Sequence, residues 1–293
     1  MATVAEPRSF ARFTVEPLNP RIGAEIHGID LREELSDELI ADIRAALLTY
    51  KVIFFRDQDI DQAQHIAFAR RFGELEVHPA SPKDQPHPEI FHLRSRAAGM
   101  NLYPGARNRT GADLWHSDVT WRETPSFGSI LIGRTIPETG GDTMFADMAA
   151  AYDGLSPKMK EFICGLTAVH DGKGFAAFQG KTVQQFHEEF PPQHHPVVRT
   201  HPETGERILY VNCAFVTEID GLSEKESYWL LDHLYSQAAI PEYQCRFRWR
   251  KNSIAFWDNR VCQHYAVGDY APAERHMERV TVIGDKPYFD PGR

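Results

Sequence analysis

In the first part of the chain, the spacing between apolar residues changes several times. Between residues 36 and 47, apolar side chains recur every three or four positions behind Ser36, a residue that favours a helix N-cap. The continuous apolar run at 52–55 is typical of a strand that is buried on both faces. Helical spacing returns over 61–72, and Gly73 is placed to end that helix. This part of the chain therefore predicts two helices on either side of a buried strand.

The rest of the chain consists largely of short segments with the composition of strands. A turn signal at 201–205 predicts a hairpin between 196–199 and 208–212. Two more helices are predicted, one over 156–165 with proline at its first turn and one over 223–238 behind a Ser–Glu capping box. Further short strands are predicted at 12–30, 115–121, 127–134, 142–146, 166–170, 245–250, 253–257 and 277–283.

Many short strands with few helices predict a mixed α+β fold, in which a barrel or jelly-roll core has helices packed outside it. The sequence contains no internal repeat, low-complexity tract or evident linker, so a single domain over 1–293 is expected. The segment 79–114 is rich in proline, glycine, asparagine and arginine and predicts a long loop. A second polar segment, 172–194, predicts a lid or loop with a helical piece.

Composition excludes several classes of protein. The net charge of -9 argues against nucleic acid as the main partner. The 4 cysteines are scattered without a C-x-x-C pair, which favours free thiols in a reducing cytoplasm over disulfides or a thiolate zinc site. The first ten residues lack the apolar core of a secretory signal, and no apolar run approaches the roughly 18 residues that span a membrane. We therefore expect a cytoplasmic protein without a membrane partner.

The candidate chemistry centres on the stretch 115–121, where His116 and Asp118 are separated by one residue. If this stretch is a strand, the imidazole and the carboxylate lie on the same face. A second stretch, 254–264, runs from apolar residues through an Asp-Asn turn to His264. Two imidazoles and one carboxylate on one face of an octahedral ion suit Fe(II) and leave three coordination positions open.

Open positions of this kind can accept a bidentate 2-oxo acid together with O2. A dicarboxylate co-substrate also needs a fixed cation at its far end, and the arginine fork matches a carboxylate with two parallel hydrogen bonds. Arg275 and Arg279 follow His264 and share a strand face by their spacing. Thr143 lies on a predicted strand soon after the His-x-Asp pair and offers a hydroxyl donor for the same carboxylate.

These motifs together resemble the taurine dioxygenase family of Fe(II)/2-oxoglutarate-dependent oxygenases. The similar segments are the His-x-Asp pair, Gly-Gly-Asp-Thr at 140–143, Trp-Asp-Asn-Arg at 257–260 with His264 beyond it, and the two arginines. The resemblance covers nearly the whole chain, from 21–24 to 284–287. It implies a double-stranded β-helix (jelly roll, cupin-like) with helices packed against it, and an assembly into homodimers or homotetramers.

The resemblance also implies residue roles, cofactors and a reaction. His116, Asp118 and His264 match the iron ligands. The 2-oxoglutarate contacts match Thr143 and Arg275, with Arg279 near the keto-acid end. The implied activity uses O2 to hydroxylate the carbon next to the anionic head of a small acid. The first choice is a sulfonate such as taurine, which would release sulfite and an aldehyde in sulfur metabolism. The substrate contacts implied by position are His78, Val119 through its backbone N–H, Phe175, Phe215 and Arg279.

The sequence departs from the taurine pattern at the amine end of the substrate. Ser81 and Ala112 stand nearest to the positions where taurine-binding members carry a tyrosine and an asparagine. Alkyl sulfates, aryloxyalkanoates and other small carboxylic acids are therefore alternative substrates. A cupin-like binding protein without turnover is a further alternative, although a passive metal site needs no dicarboxylate clamp. A zinc hydrolase is disfavoured because no recognisable zincin motif supplies a general base.

Overall fold

The computed structural model describes residues 10–79, 81–82, 84–94, 115–270 and 272–292, without the side chain of Phe178. Strands and helices both occur throughout these residues. The strands are β1 (Thr14–Pro17), β2 (Ala24–His27), β3 (Val52–Phe55), β4 (Phe91–Arg94), β5 (Ser126–Thr135), β6 (Thr143–Asp147), β7 (Thr167–His170), β8 (Gln193–Pro196), β9 (Val198–Thr200), β10 (Arg207–Leu209), β11 (Val216–Ile219), β12 (Gln244–Phe247), β13 (Ile254–Asp258), β14 (Cys262–Ala266) and β15 (His276–Ile283). The helices are α1 (Asp37–Tyr50), α2 (Gln62–Arg70), α3 (Met148–Gly154), α4 (Pro157–Ile163), α5 (Val183–Glu189) and α6 (Glu224–Ser236).

The strands form one large sheet and three small ones. The large sheet has 7 strands in the order β1-β2-β3-β13-β5-β15-β4, and only its β2–β3 pair is parallel. The small sheets are β12-β6-β14, β11-β7-β8 and the hairpin β9-β10, and all of their pairs are antiparallel. The fold is therefore mixed, with helices beside predominantly antiparallel sheets, as the pattern of short strands predicts.

The large sheet separates two hydrophobic cores. Val52 and Phe54 of β3 pack into a core shared with the small sheets, while Ile53 and Phe55 pack into a second core shared with α1 and α2. Successive side chains on a strand point to opposite faces, so a strand between two cores must be apolar at every position. This alternation is the reason for the continuous apolar run at 52–55.

Side-chain caps fix several helix starts where the sequence predicts them. The Ser36 hydroxyl accepts a hydrogen bond from the backbone N–H of Leu39 at the start of α1. Ser223 and Glu226 form a reciprocal capping box at the start of α6, in which each side chain accepts a hydrogen bond from the other residue's backbone N–H. The predicted hairpin is also confirmed, because β9 pairs with β10 across the 201–205 turn.

The structure corrects the sequence-based prediction in the long segment 79–114. Its residues 91–94 form β4, an edge strand that pairs with β15, and are not part of a continuous loop. β14 pairs with β6 and was not predicted either. Both strands are short and contain histidine, so their own sequences give little strand signal and their pairing partners define them. Among the residues that the structure describes, no helix combines the length and apolarity needed to cross a membrane.

Candidate active site

The stretch that contains His116 and Asp118 is a bridge followed by a turn, so the predicted strand over 115–121 is wrong. His116 exchanges two backbone hydrogen bonds with His264 of β14, at N···O distances of 3.1 and 2.8 Å. The chain then turns, Val119 adopts a φ of 46°, and the backbone N–H of Arg122 donates to the Val119 carbonyl at 2.9 Å. The His116 imidazole and the Asp118 carboxylate nevertheless converge.

A side chain replaces backbone pairing directly after the His116 bridge. The backbone N–H of Asp118 donates to Oδ1 of Asn259 at 3.0 Å, which takes the place of a strand partner. Asn259 is held in turn by the indole N–H of Trp257, which donates to the same Oδ1 at 2.9 Å. The Asp-Asn turn after β13 therefore positions Asp118 as well as leading the chain toward His264.

His116, Asp118 and His264 form a compact buried cluster. Their ligand atoms all lie within 4.8 Å of one another, and each residue is at most 9% exposed. Two imidazoles and one carboxylate form the donor set of a non-haem Fe(II) site. Nδ1 of His264 is buried and has no hydrogen-bond partner among the described residues. A buried nitrogen without a partner is costly unless another group satisfies it, so the cluster fits a metal ion.

The protonation states of the cluster also suit a metal. Burial raises the pKa of the Asp118 carboxyl, but Arg279 and the two histidines outweigh it and hold that pKa well below its usual range. Arg279 donates from Nη1 to Oδ1 of Asp118, and the Ser129 hydroxyl donates to Oδ2 at 2.7 Å. Burial lowers the pKa of His264 well below its ordinary value. An ionised carboxylate and a neutral imidazole are the forms that bind metals.

A second group of polar residues surrounds Arg275. Its Nε donates to the carbonyl of Gly141 at 3.1 Å, and its guanidinium lies 6.0 Å from the Trp249 ring and 5.9 Å from the Tyr270 ring. The indole N–H of Trp249 donates to the Thr143 hydroxyl at 2.9 Å. Because this bond uses the hydroxyl oxygen as acceptor, the hydroxyl proton is left to donate elsewhere. The structure thus places Arg275 and Thr143 around the same tryptophan.

Arg275 packs closely against Gly141, where a side chain would be crowded. Its φ is +72°, and a Cβ on it would lie 3.2 Å from Cδ of Arg275. Only glycine adopts this backbone without strain and without pressing on the arginine. The extra residue at the shift between His276 and Met277 belongs to β5, so side chains alternate along β15, and Arg275 directly precedes this strand. That Arg275 and Arg279 share one face stays a prediction. Arg275 and Arg279 are both buried.

An aromatic wall lies beside the metal cluster, and it is formed by His78, Phe91, Phe175 and Phe215. The His78 ring stacks on Phe91 at 4.2 Å and meets Phe175 edge-on at 5.5 Å. Phe175 stacks with Phe215 at 6.0 Å, and Phe215 contacts the His116 ring at 6.2 Å. Burial, followed by the charge of Arg279, lowers the pKa of His78 to about 3. His78 is therefore a neutral part of this wall at physiological pH.

Arg279 connects the wall to the metal cluster. Its guanidinium bonds to Asp118 on one side and lies 5.4 Å from the Phe91 ring on the other. Val119 lies in a small buried core with Trp121 and Phe215. The structure therefore brings the sequence-predicted substrate residues together around the His116 side of the cluster. Ser81 is buried nearby in sequence, whereas Ala112 lies outside the described residues.

Sequence reasoning missed four residues of this region: Ser129, Asn259, Trp249 and Phe91. Ser129 and Asn259 hold Asp118, Trp249 holds Thr143, and Phe91 stacks on His78. Asn259 carried a usable signal, since an Asp-Asn turn directly after an apolar strand is suited to cap a neighbouring backbone. The other three are ordinary strand or post-strand residues, and only the pairing of distant strands brings them to the site.

Comparison with known proteins shows the family of this chain. Residues 14–281 match the family model described as taurine catabolism dioxygenase TauD, TfdA family. The chain is 36% identical to an alkylsulfatase of Acinetobacter baylyi over 92% of this chain and 84% of that protein. It is also 36% identical to an alpha-ketoglutarate-dependent sulfate ester dioxygenase of Pseudomonas putida, over 93% of this chain and 90% of the relative. An alpha-ketoglutarate-dependent sulfonate dioxygenase of Saccharomyces cerevisiae is 33% identical, over 94% of this chain and 68% of the relative.

Solved structures give the same result. A putative alpha-ketoglutarate-dependent taurine dioxygenase from Burkholderia xenovorans superposes with a TM-score of 0.83 and 39% identity, covering 96% of this chain and 95% of that chain. The enzyme AAD-2 in complex with Mn(II) and N-oxalylglycine superposes with a TM-score of 0.78 and 30% identity, covering 94% of this chain and 98% of that one. Both likenesses extend over nearly the whole chain.

Proposed function

The chain belongs to the taurine catabolism dioxygenase TauD/TfdA family, and we propose that it hydroxylates the carbon next to the anionic head of a small sulfonate or sulfate ester. It is an alpha-ketoglutarate-dependent dioxygenase, so it uses Fe(II), 2-oxoglutarate (alpha-ketoglutarate) and O2. The observation that supports the proposal most directly is the single region that joins the His116–Asp118–His264 cluster, Arg279 and the aromatic wall.

The metal ligands in this proposal are His116, Asp118 and His264. When bound, iron with 2-oxoglutarate and O2 supplies the oxidising chemistry and yields succinate and CO2. The chain keeps Asp118 ionised through Arg279 and Ser129, and it keeps His264 neutral through burial. These residues therefore present a donor set in the protonation states that bind a metal ion.

Arg275 and Thr143 bind the distal carboxylate of 2-oxoglutarate in this proposal. The guanidinium is buried, its Nε is fixed on the Gly141 carbonyl, and the Thr143 hydroxyl is oriented by Trp249. A buried cation next to an oriented hydroxyl suits a carboxylate that has lost its water. Arg279 lies at the Asp118 side of the cluster, where it can face both the keto-acid end and the substrate anion.

The substrate lies against the aromatic wall with its anionic head toward Arg279, His78 and the backbone N–H of Val119. Arg279 supplies the positive charge, while His78, which is neutral, supplies a hydrogen bond without a second charge. Phe175 and Phe215 cover the carbon chain and exclude water from the reacting carbon. An aromatic wall suits a hydrocarbon tail, so we rank alkyl sulfonates and alkyl sulfates above taurine.

The products follow from the bond next to the hydroxylated carbon. A hydroxyl on the carbon that bears a sulfonate breaks the C–S bond and gives an aldehyde and sulfite. A hydroxyl on the carbon that bears a sulfate ester breaks the C–O bond and gives an aldehyde and sulfate. An aryloxyalkanoate is the second candidate, because the stacked pair of Phe175 and Phe215 can accept an aryl ring. That substrate would release a phenol.

We also propose that the large sheet and the sheet β12-β6-β14 are the two faces of a double-stranded β-helix. They share one hydrophobic core, and the metal ligand His264 comes from the smaller sheet while Ser129 and Arg279 come from the larger. Three expectations stay predictions: a single domain over 1–293, a cytoplasmic location, and assembly into a homodimer or homotetramer.

A panel of acids tests the proposed substrate class. The panel contains taurine, hexanesulfonate, hexyl sulfate and phenoxyacetate, each with Fe(II), 2-oxoglutarate and O2. We expect succinate release to rise with the sulfonate or the sulfate ester, together with stoichiometric sulfite or sulfate. Stimulation by phenoxyacetate alone would replace the proposal by the second candidate. If succinate forms but none of the acids increases its release, both proposed substrate classes would be contradicted. The assignment as a 2-oxoglutarate-dependent dioxygenase would still hold.

A further inference from the structure

A second group of side chains that could hold a metal ion lies on the opposite face of β15 from Arg279. It consists of His92 on β4 and of His276 and Glu278 on β15. Glu278 pairs directly with His92 across the two strands, and His276 precedes it by two residues, so all three side chains share one face. None of them belongs to the iron cluster, and the proposed reaction uses none of them.

The ligand atoms of this group have the spacing of a zinc site. Nδ1 of His92 lies 3.1 Å from Nε2 of His276 and 3.8 Å from Oε1 of Glu278. All three ligand atoms lie within 4.8 Å of one another. Zinc bonds of about 2.0–2.2 Å in a tetrahedron place neighbouring ligand atoms roughly 3.3–3.5 Å apart. The three side chains therefore need only small shifts to bind one ion, and the partial exposure of His92 and His276 leaves a fourth position for water.

The surroundings prepare these residues for a cation. Oε1 of Glu278 accepts a hydrogen bond from Gln62 at 2.7 Å, and Oε2 accepts one from Arg134 at 2.7 Å. Hydrogen bonds of this kind orient a ligating carboxylate and leave lone pairs for the metal. Burial, followed by the charge of Arg94, lowers the pKa of His276 below its ordinary value, so its imidazole is neutral near pH 7. Arg134 and Arg94 also add positive charge, which weakens cation binding relative to a site without them.

We propose that His92, His276 and Glu278 form a second divalent-cation site, of the type that binds Zn²⁺ with two imidazoles, one carboxylate and water. The ion would join the edge strand β4 to β15. Arg279 lies on the other face of β15, Arg275 directly precedes that strand, and β4 presents Phe91 to the aromatic wall. The site would therefore hold together the two strands that carry co-substrate and substrate contacts, without itself contacting either molecule.

Zinc stoichiometry tests this site on the full chain. Chelator-stripped protein is equilibrated with Zn²⁺ alone, and the bound metal is counted after dialysis. We expect two ions per chain, because Zn²⁺ also binds the iron ligands. The His264→Ala variant should bind one ion, and so should the His92→Gln/His276→Gln double variant. The matched control, His233→Gln, replaces an exposed histidine on α6 and should bind two.

Two outcomes would overturn the proposal without depending on how well the double variant folds. The first is wild-type protein that binds a single ion, which disappears in His264→Ala. The second is a folded double variant, judged by circular dichroism, that still binds two ions. A thermal scan gives an independent readout, since an ion that binds only the folded chain raises the unfolding midpoint. That rise should persist in His264→Ala and vanish when His92 is also changed to glutamine.

Discussion

The metal cluster and the aromatic wall touch each other, yet they are built from different interactions. Ser129 and Arg279 donate hydrogen bonds to the Asp118 carboxylate, and the backbone N–H of Asp118 donates to the Asn259 side chain. The wall around Phe175 is held by contacts between rings at centroid distances of 5.5–6.0 Å. A buried polar group that loses its partner costs about 1–3 kcal/mol, whereas a ring contact contributes roughly 0.5–1.5 kcal/mol beyond its buried area.

This difference explains how one family can keep a reaction and change its substrates. The hydrogen bonds of the cluster fix positions and protonation states, so few substitutions preserve them. Ring contacts depend less on direction, and residues on short elements supply them here: Phe175 lies in the 3-10 helix Lys173–Phe175 and Phe91 on the edge strand β4. Relatives of this chain are named for sulfate esters and for sulfonates, which matches a fixed cluster next to a variable wall. Substitutions on the two sides should therefore have separable effects.

The largest effect is expected from a ligand of the cluster. His264→Ala removes one of three metal donors, so Fe(II) affinity should fall by more than the roughly 10–100-fold that the loss of an outer partner costs. Turnover should then be abolished, because the cofactor performs the oxidative chemistry. Iron binding is measured by anaerobic titration and turnover by succinate release. His233→Ala on α6 is the control, and a His264→Ala enzyme with normal iron affinity would remove this residue from the site.

Arg275→Gln should separate co-substrate binding from iron binding. Loss of a charge-assisted pair with a carboxylate costs about 3 kcal/mol, which corresponds to about a 100-fold higher KM for 2-oxoglutarate. Fe(II) affinity should stay within about twofold of wild type, because the three metal ligands are unchanged and Arg275 is held by Gly141, Trp249 and Tyr270. Arg248→Gln, which changes an exposed arginine, is the control. An unchanged KM would place the distal carboxylate elsewhere.

Periodic segments of the fold could be predicted from the sequence. β3 was predicted because burial on both faces leaves an unbroken apolar run, and α6 because its capping box is local in sequence. β4 and β14 could not be, since each is short and has a polar histidine inside it. Their strand conformation comes from pairing with β15 and β6, and such partners are not visible in a local window.

The candidate site likewise contains residues that the sequence identified and residues that it did not. Spacing along the chain identified His116, Asp118 and His264, and the structure brings them together. The predicted strand around His116 and Asp118 was wrong because the backbone N–H of Asp118 donates to the side chain of Asn259, far along the chain. The supporting residues Ser129 and Trp249 act through single hydrogen bonds across distant strands. No spacing rule encodes such contacts, so the supporting residues became visible only in the folded chain.

Ser129→Ala tests whether those hydrogen bonds control the cluster. The change removes the donor to Oδ2 of Asp118 and the acceptor for Nδ2 of Asn259, while all three metal ligands remain. We expect Fe(II) affinity to fall about 10-fold, at the lower end of what outer partners contribute. The KM for substrate should change little at saturating iron. Ser236→Ala, at an exposed serine of α6, is the control. An unchanged iron affinity would show that Arg279 and Asn259 suffice to hold Asp118.

Phe175→Ala addresses the wall and should have the smallest and most selective effect. The Phe175 ring contacts the rings of His78, Trp121 and Phe215, so the substitution removes three ring contacts, each worth roughly 0.5–1.5 kcal/mol. The KM for the preferred acid should rise about 3- to 10-fold, with iron and 2-oxoglutarate affinities unchanged. The rise should be larger for a long alkyl chain than for taurine, because a longer tail covers more of the wall. Phe162→Ala, at an exposed phenylalanine, is the control. If Phe175→Ala also lowered iron affinity, the aromatic wall and the metal cluster would depend on each other. The proposed independence of their effects would then be wrong.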